Sequence, residues 1–163
     1  MAKNNRLTNA VNVFQKFPES IRTYALSKAM GNVVKYAGIS GLRYEKLTPT
    51  ECIVVIPNRK KVRNHIGSVH AAAMGLLAET ATGFMTGLTV PDDRIIVIKS
   101  MHLEYLKQAT GDMKAVASFS DEQVEFIKNN EKADIDVPVV ITDEKGIETV
   151  KATMIWAWAP KRK

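Results

Sequence analysis

The chain has 163 residues and a mass of 18.1 kDa, the size of a single domain built on one core. With 45% hydrophobic and 25% charged residues and a mean hydropathy of −0.12, the composition is globular and excludes collagen-like, disordered and disulfide-framework classes. Charge is uneven: residues 1–63 carry 12 basic and 3 acidic side chains and residues 64–163 carry 11 and 14, or +9 and −3 within a net of +6. A basic front half suits nucleic acid, a membrane surface or a phosphorylated small molecule, and composition does not choose among them. The single cysteine, Cys52, cannot form an internal disulfide and fits a reducing, cytoplasmic setting. Residues 1–10 are charged without a following apolar run, so no secretory signal is expected.

Residues 7–36 follow a helical pattern interrupted at Pro18, with Val11, Phe14, Ile21, Tyr24, Leu26, Met30, Val33 and Val34 as the apolar positions. Gly38 and Gly41 punctuate the chain, and two short strands, 41–47 and 51–56, flank the turn Thr48-Pro49-Thr50. The basic run 58–63 leads to a long helix capped by Ser68 and stopped by Pro91. Beyond it come a strand over 95–107, a turn at Thr110-Gly111-Asp112, a strand over 113–119, and a short helix over 120–130 opened by a Ser-Asp cap. The hairpin 133–142 and 148–159 closes the chain around the turn 143–146. Helices set apart from hairpin-joined strands predict an α+β domain, residues 41–163, with an antiparallel sheet on the long helix and a helical extension over residues 1–40.

Between residues 66 and 91, Glu79 is the only formally charged side chain. A membrane span is not expected, since a carboxylate at its centre would cost about 2.5–3.5 kcal/mol and the flanking strands need a soluble core. Ala73, Leu77, Ala81, Phe84 and Leu88 form a core-facing stripe. Gly75, Glu79, Thr82 and Thr86 form a second, small and polar, stripe suited to close approach of either a sheet or another helix. Glu79 is then either a hydrogen-bonded structural acid or a base or nucleophile in a dry pocket.

Residues 64–73, Asn64-His65-Ile66-Gly67-Ser68-Val69-His70-Ala71-Ala72-Ala73, are followed by Leu77-Ala78-Glu79-Thr80-Ala81. This resembles the hotdog-fold acyl-CoA thioesterases, whose phenylacetyl-CoA and 4-hydroxybenzoyl-CoA branches show N-x-x-G-x-V-H-G-G-A and a carboxylate nine residues after the histidine. Residues 103–112 resemble that family's L-x-(F/Y)-(L/V)-(R/K)-P-A-x-x-G-(D/E). Ala71-Ala72 replaces the glycine pair and Gln108 the proline. A backbone N–H survives a Gly→Ala change, while the added methyl narrows the approach to it.

The resemblance implies a hotdog fold, hydrolysis of an acyl-CoA thioester, and a homodimer or dimer of dimers with sites at the interface. It implies Asn64 as the residue orienting the reacting group and no cofactor beyond the coenzyme A of the substrate. Helix geometry agrees with the interface: N-terminal N–H groups such as that of Ala71, with Ala72 as helper, can polarise a carbonyl. Glu79 lies about 12 Å along the axis and about 80° around it from Ala71, so one helix cannot bring both to one carbon. A partner chain across a two-fold axis can.

The remaining candidates carry structural alternatives. Asn64 is equally a turn or cap residue, and His70 suits a backbone contact at the helix start beside the substrate. Thr82, with Thr86, could hold the carboxylate or water, though helix threonines often bond their own backbone. Arg59, Lys60, Lys61, Arg63 and Lys107 could meet the phosphates of coenzyme A or simply be solvated. His65, His70 and Glu79 have no zinc spacing, so no metal is expected. Two rival functions stand beside hydrolysis: binding of acyl-CoA or a fatty acyl group without cleavage, and nucleic-acid binding by the front helices. Arg22, Lys28 and Lys35 are too dispersed in sequence to make a DNA-reading element, which ranks the nucleic-acid reading low.

Overall fold

The computed structural model describes residues 5–162; residues 1–4, part of the stretch read for a secretory signal, and Lys163 lie outside the described residues. Three helices lead, α1 (Arg6–Phe14), α2 (Glu19–Val33) and α3 (Lys35–Ser40). Pro18 opens α2 as expected, but the helical stretch runs on past Tyr36 after a break at Val34 (φ −110°, ψ 95°) and stops at Gly41, which takes φ +77°. Strands β1 (Arg43–Leu47) and β2 (Glu51–Ile56) form the first hairpin, and a 3₁₀ turn at Lys60–Val62 leads to α4 (Ala71–Thr89). Then follow β3 (Arg94–Tyr105), β4 (Met113–Ser118), α5 (Asp121–Asn129), β5 (Ala133–Asp136), β6 (Val139–Asp143) and β7 (Glu148–Pro160).

The expected final hairpin is present with one correction. Its first arm is two strands, because Val137-Pro138 interrupts it and proline has no N–H for the ladder. Both pieces lie along β7: β6 beside its start, with Ile141 opposite Val150, and β5 beside its far part, with Asp136 opposite Ile155. All pairings are antiparallel, in the order β1-β2-β4-β6-β7-β3 with β5 on β7. One end of the sheet is therefore the free edge of β3.

The sheet packs on α4. Ala73, Leu77, Ala81, Phe84 and Leu88 are all buried, as their period requires. Within the chain, Gly75 of the small stripe faces the sheet, and so does Gly83, which lies off the stripe. A methyl on Gly75 would lie 3.6 Å from Leu103 Cδ1, and one on Gly83 only 2.6 Å from the Trp156 ring. Thr82 and Thr86 are fully buried and donate to the carbonyls of Ala78 and Thr82, each at 2.8 Å. The helix ends at Val90, held extended (φ −70°, ψ 131°) by the proline that follows.

The leading helices join the same core, to which Val11, Leu26, Met30 and Ala37 contribute. Asn5 Nδ2 donates to the carbonyls of Gly87 (2.6 Å) and Val90 (2.7 Å), and Thr8 Oγ1 to that of Leu88 (2.7 Å). These bonds satisfy carbonyls at the end of α4 that have no partner within the helix. The Tyr44 N–H of β1 donates to Ser27 Oγ of α2 at 2.9 Å. Of the apolar positions in the helical pattern, Ile21, Tyr24, Val33 and Val34 face outward instead.

Candidate functional site

The first turn of α4 is assembled by the loop before it. Asn64 Oδ1 accepts from the N–H groups of Ile66 and Ser68, both at 3.1 Å, so the side-chain oxygen closes the turn and the amide nitrogen is left over as a donor. Ser68, the expected cap, instead donates to the Ala109 carbonyl at 3.0 Å. The cap is His70: its φ −65° and ψ 143° are extended, and its Nδ1 accepts from the Ala72 N–H at 3.1 Å. His70 thus makes the backbone contact at the helix start that was expected of it, and the Ala72 N–H, expected as a helper donor to the carbonyl, is engaged within the chain.

The Ala71 N–H is different. As the first helical donor it has no carbonyl one turn back, and it has no acceptor among the described residues. Ala71 borders a pocket of about 350 Å³ with Asn64, Ser68, Tyr105, Lys107 and Gln108. Tyr105, which was not among the sequence candidates, donates its hydroxyl to the Ala71 carbonyl at 3.0 Å and so ties β3 to this turn. Partial burial pushes its phenol upward from the usual value. It lies two residues before Lys107 inside the quoted motif, so its position was open to notice.

Glu79 lies in a second pocket of about 230 Å³, lined by Leu7, Leu76, Phe84, Ile96 and Trp156 and otherwise almost wholly apolar. The residue is half-buried, and its carboxylate has no hydrogen bond or ion pair among the described residues. Leu7 of α1 and Val34 between α2 and α3 wall this pocket, so the leading helices form part of it. Thr82 does not offer a free hydroxyl to it. Besides its helix bond, Thr82 Oγ1 accepts from Trp156 Nε1 at 2.9 Å and is fully buried. The helix bond is the structural role expected as the alternative for it.

Ala71 and Glu79 thus belong to separate pockets of one chain, as eight residues of helix require. The basic run divides in the same way. Lys107 borders the Ala71 pocket, while Arg63 is bound to Asn58 through its Nε (2.9 Å) and Nη2 (2.8 Å). Arg59 and Lys61 turn instead to a cleft against α2 and α3. Cys52 is fully buried, and burial, helped by Glu51, pushes its thiol up, so it packs rather than reacts. Among the described residues no three His, Cys, Asp or Glu side chains converge, and no helix is long and apolar enough to cross a membrane.

Residues 22–158 match the family described as a domain of unknown function, DUF4442. The chain is a member of the DUF4442 family. Its match starts in α2 and ends in β7, so it covers the lining of both pockets except Leu7. No curated protein matches this DUF4442 chain. Among solved structures, it is similar to a Pseudomonas aeruginosa protein described as of unknown function and a probable thioesterase. That likeness has 24% identity and a TM-score of 0.77, and covers 85% of this chain and 96% of the other. The structural-genomics target APC5556 is 27% identical with a TM-score of 0.75, covering 95% and 99%. A Haemophilus influenzae thioesterase is 14% identical with a TM-score of 0.67, covering 85% and 90%. The DUF4442 chain has the hotdog fold, in common with these structures: a long helix packed on an antiparallel sheet.

Proposed function

We propose that the protein is a homodimeric hydrolase of acyl-CoA thioesters, with each site shared between two chains. The observation that carries this reading is Glu79: a carboxylate without a partner among the described residues, half-buried in an apolar pocket and carried on a helix whose first N–H is likewise unpaired among them. The thioester carbonyl oxygen accepts from the Ala71 N–H, with the Asn64 amide as the second donor. Glu79 of the second chain takes a proton from water, whose oxygen attacks the carbonyl carbon, or attacks that carbon itself. When Glu79 acts as base, the carbon–sulfur bond breaks and the thiolate takes the proton that Glu79 removed from water. When Glu79 attacks, an anhydride with its carboxylate forms and the thiolate leaves, taking a proton from water; the hydroxide left hydrolyses the anhydride to release the acid and restore Glu79. Donors aimed at the developing oxyanion lower its energy most where water is scarce.

The sheet topology supports the shared site. The 12-residue β3 has a free edge on which Ile95, Val97 and Met101 are each about half exposed (55%, 53% and 47%), a pattern that invites pairing with another strand. Gly75 lies beneath Met101 and Leu103 of this edge strand, and it is the midpoint between Ala71 and Glu79. A two-fold axis passing there, with the β3 edges antiparallel, runs the two α4 helices in opposite directions. Ala71 of each chain then comes level with Glu79 of its copy.

The test is steady-state hydrolysis of a panel of acyl-CoAs by wild type and Glu79→Gln. Loss of a positioned base or nucleophile lowers kcat by about 10²–10⁴. Glu79 makes no bond that the amide would break, so the melting temperature stays within about 1–2 °C. Equal activity in the variant removes Glu79 from the mechanism. Thermal stabilisation by acyl-CoA without turnover in wild type assigns binding without cleavage instead.

A further inference from the structure

The cations of the front half, dispersed in sequence, meet in space. Lys28 of α2, Lys35 of α3, Arg43 of β1, and Arg59 and Lys61 before α4 border one cleft of about 520 Å³. Among the described residues no acidic one borders it. The cleft is built by close contacts. A methyl on Gly38 would lie 2.5 Å from the Gly31 carbonyl oxygen, so only a glycine pair lets α2 and α3 approach this closely. Lys61 is fixed in place, its Nζ donating to the Ile39 carbonyl at 2.5 Å at the end of α3. Arg43 shares its charge with Asp112 at 3.2 Å. Lys28, Lys35 and Arg59 have no acidic or hydrogen-bond partner for their charged groups among the described residues.

Two exposed side chains with apolar surface border the same cleft, Tyr24 at 66% exposure and Ile39 at 69%. Unpaired cations around a hollow suit phosphate oxygens. An exposed aromatic ring at its border suits a flat base, which stacks without needing a particular hydrogen-bond pattern. The volume is within the range of small-molecule sites.

We infer that this cleft is a binding site for a phosphorylated nucleotide, with Lys28, Lys35 and Arg59 on its phosphates and Tyr24 against its base. The site does not depend on the hydrolase reading. If that reading holds, the nucleotide end of coenzyme A is one source of the ligand and a free nucleotide is another.

The experiment is calorimetric titration of the full chain with ADP, adenosine, inorganic pyrophosphate and coenzyme A, each at two salt concentrations. ADP binds, and more weakly as salt rises. Adenosine and pyrophosphate each bind at least about tenfold more weakly than ADP, having lost the charge-assisted bonds or the stacking. The double variant Lys28→Ala/Arg59→Ala and the single variant Tyr24→Ala each weaken ADP about tenfold at unchanged melting temperature, since all three side chains are exposed. Coenzyme A binding that falls with ADP in these variants identifies the substrate as a ligand of the cleft; coenzyme A binding that does not fall leaves the free nucleotide as its ligand. Absence of ADP binding at millimolar concentration, or binding undiminished in the variants, overturns the site. Pyrophosphate binding as tightly as ADP overturns the nucleotide assignment. Glu79→Gln retains ADP binding, so failure of the hydrolase reading and failure of this one are separately visible.

Discussion

Replacing Ala71 by proline removes one hydrogen-bond donor and almost nothing else. Proline is favoured at the first helical position, where its fixed φ suits the helix and the missing N–H has no carbonyl to serve. The residue before a proline must be extended, and His70 already is, at φ −65° and ψ 143°. The Ala71 side chain is exposed, which leaves room for the ring, and the His70 cap bonds the N–H of Ala72, which remains. No intramolecular hydrogen bond is lost, and the stiffer unfolded chain contributes about 0.4–1 kcal/mol in favour of folding. The melting temperature should therefore hold or rise by about 1–4 °C. Catalysis should respond quite differently. Losing one oxyanion donor costs about 2.7–4 kcal/mol of transition-state stabilisation, or about 10²–10³ in kcat. The assay is acyl-CoA hydrolysis with Ala71→Gly beside it, because glycine keeps the N–H and removes only the methyl. Ala71→Pro with kcat within about threefold of wild type, at an unchanged melting temperature, would refute the role given to this N–H.

Two further substitutions probe the frame that holds the site. Gly83→Ala should destabilise by about 1–3 kcal/mol, less about 1 kcal/mol from better helix propensity, because the new methyl meets a Trp156 ring that is buried and bonded to Thr82. Chemical denaturation measures it, and a gain in stability would show that the ring can move. Asp143 is buried, and burial alone would raise its carboxyl, but the N–H groups of Ile147, Thr110 and Lys145 donate to it and hold it below the usual carboxylate range. Its contribution to stability is thus complete at neutral pH and is lost as pH falls through the depressed value. Asp143→Asn should lower the melting temperature at pH 7 and flatten the acid limb of the stability–pH profile; an unchanged acid limb would assign that slope to other groups.

The scaffold was legible from local pattern because its elements are stated by short-range chemistry. The 3.6-residue stripe of α4, the Ser120 cap of α5 and the turn before β7 each depend on neighbours a few residues away. The motif around Asn64, His70 and Glu79 was legible for the same reason, and so was the impossibility of joining Ala71 and Glu79 within one helix. Local signals failed where a group's partner is far along the chain. A backbone contact by His70 was legible locally, but nothing nearby says that it replaces Ser68 as the cap, because the Ser68 hydroxyl is drawn away by Ala109, 41 residues on. A helix-backbone bond for Thr82 was legible, but not that Trp156, 74 residues later, donates to it. The same holds for charge. Lys28, Lys35 and Arg59 look dispersed in one dimension, and only the approach of Gly31 to Gly38 and the return of the chain at residues 59–61 gather them around a cleft. Composition and periodicity determined which faces must be buried; the long-range hydrogen bonds decided which polar groups remain free, since a donor is available only after every distant acceptor has been brought near.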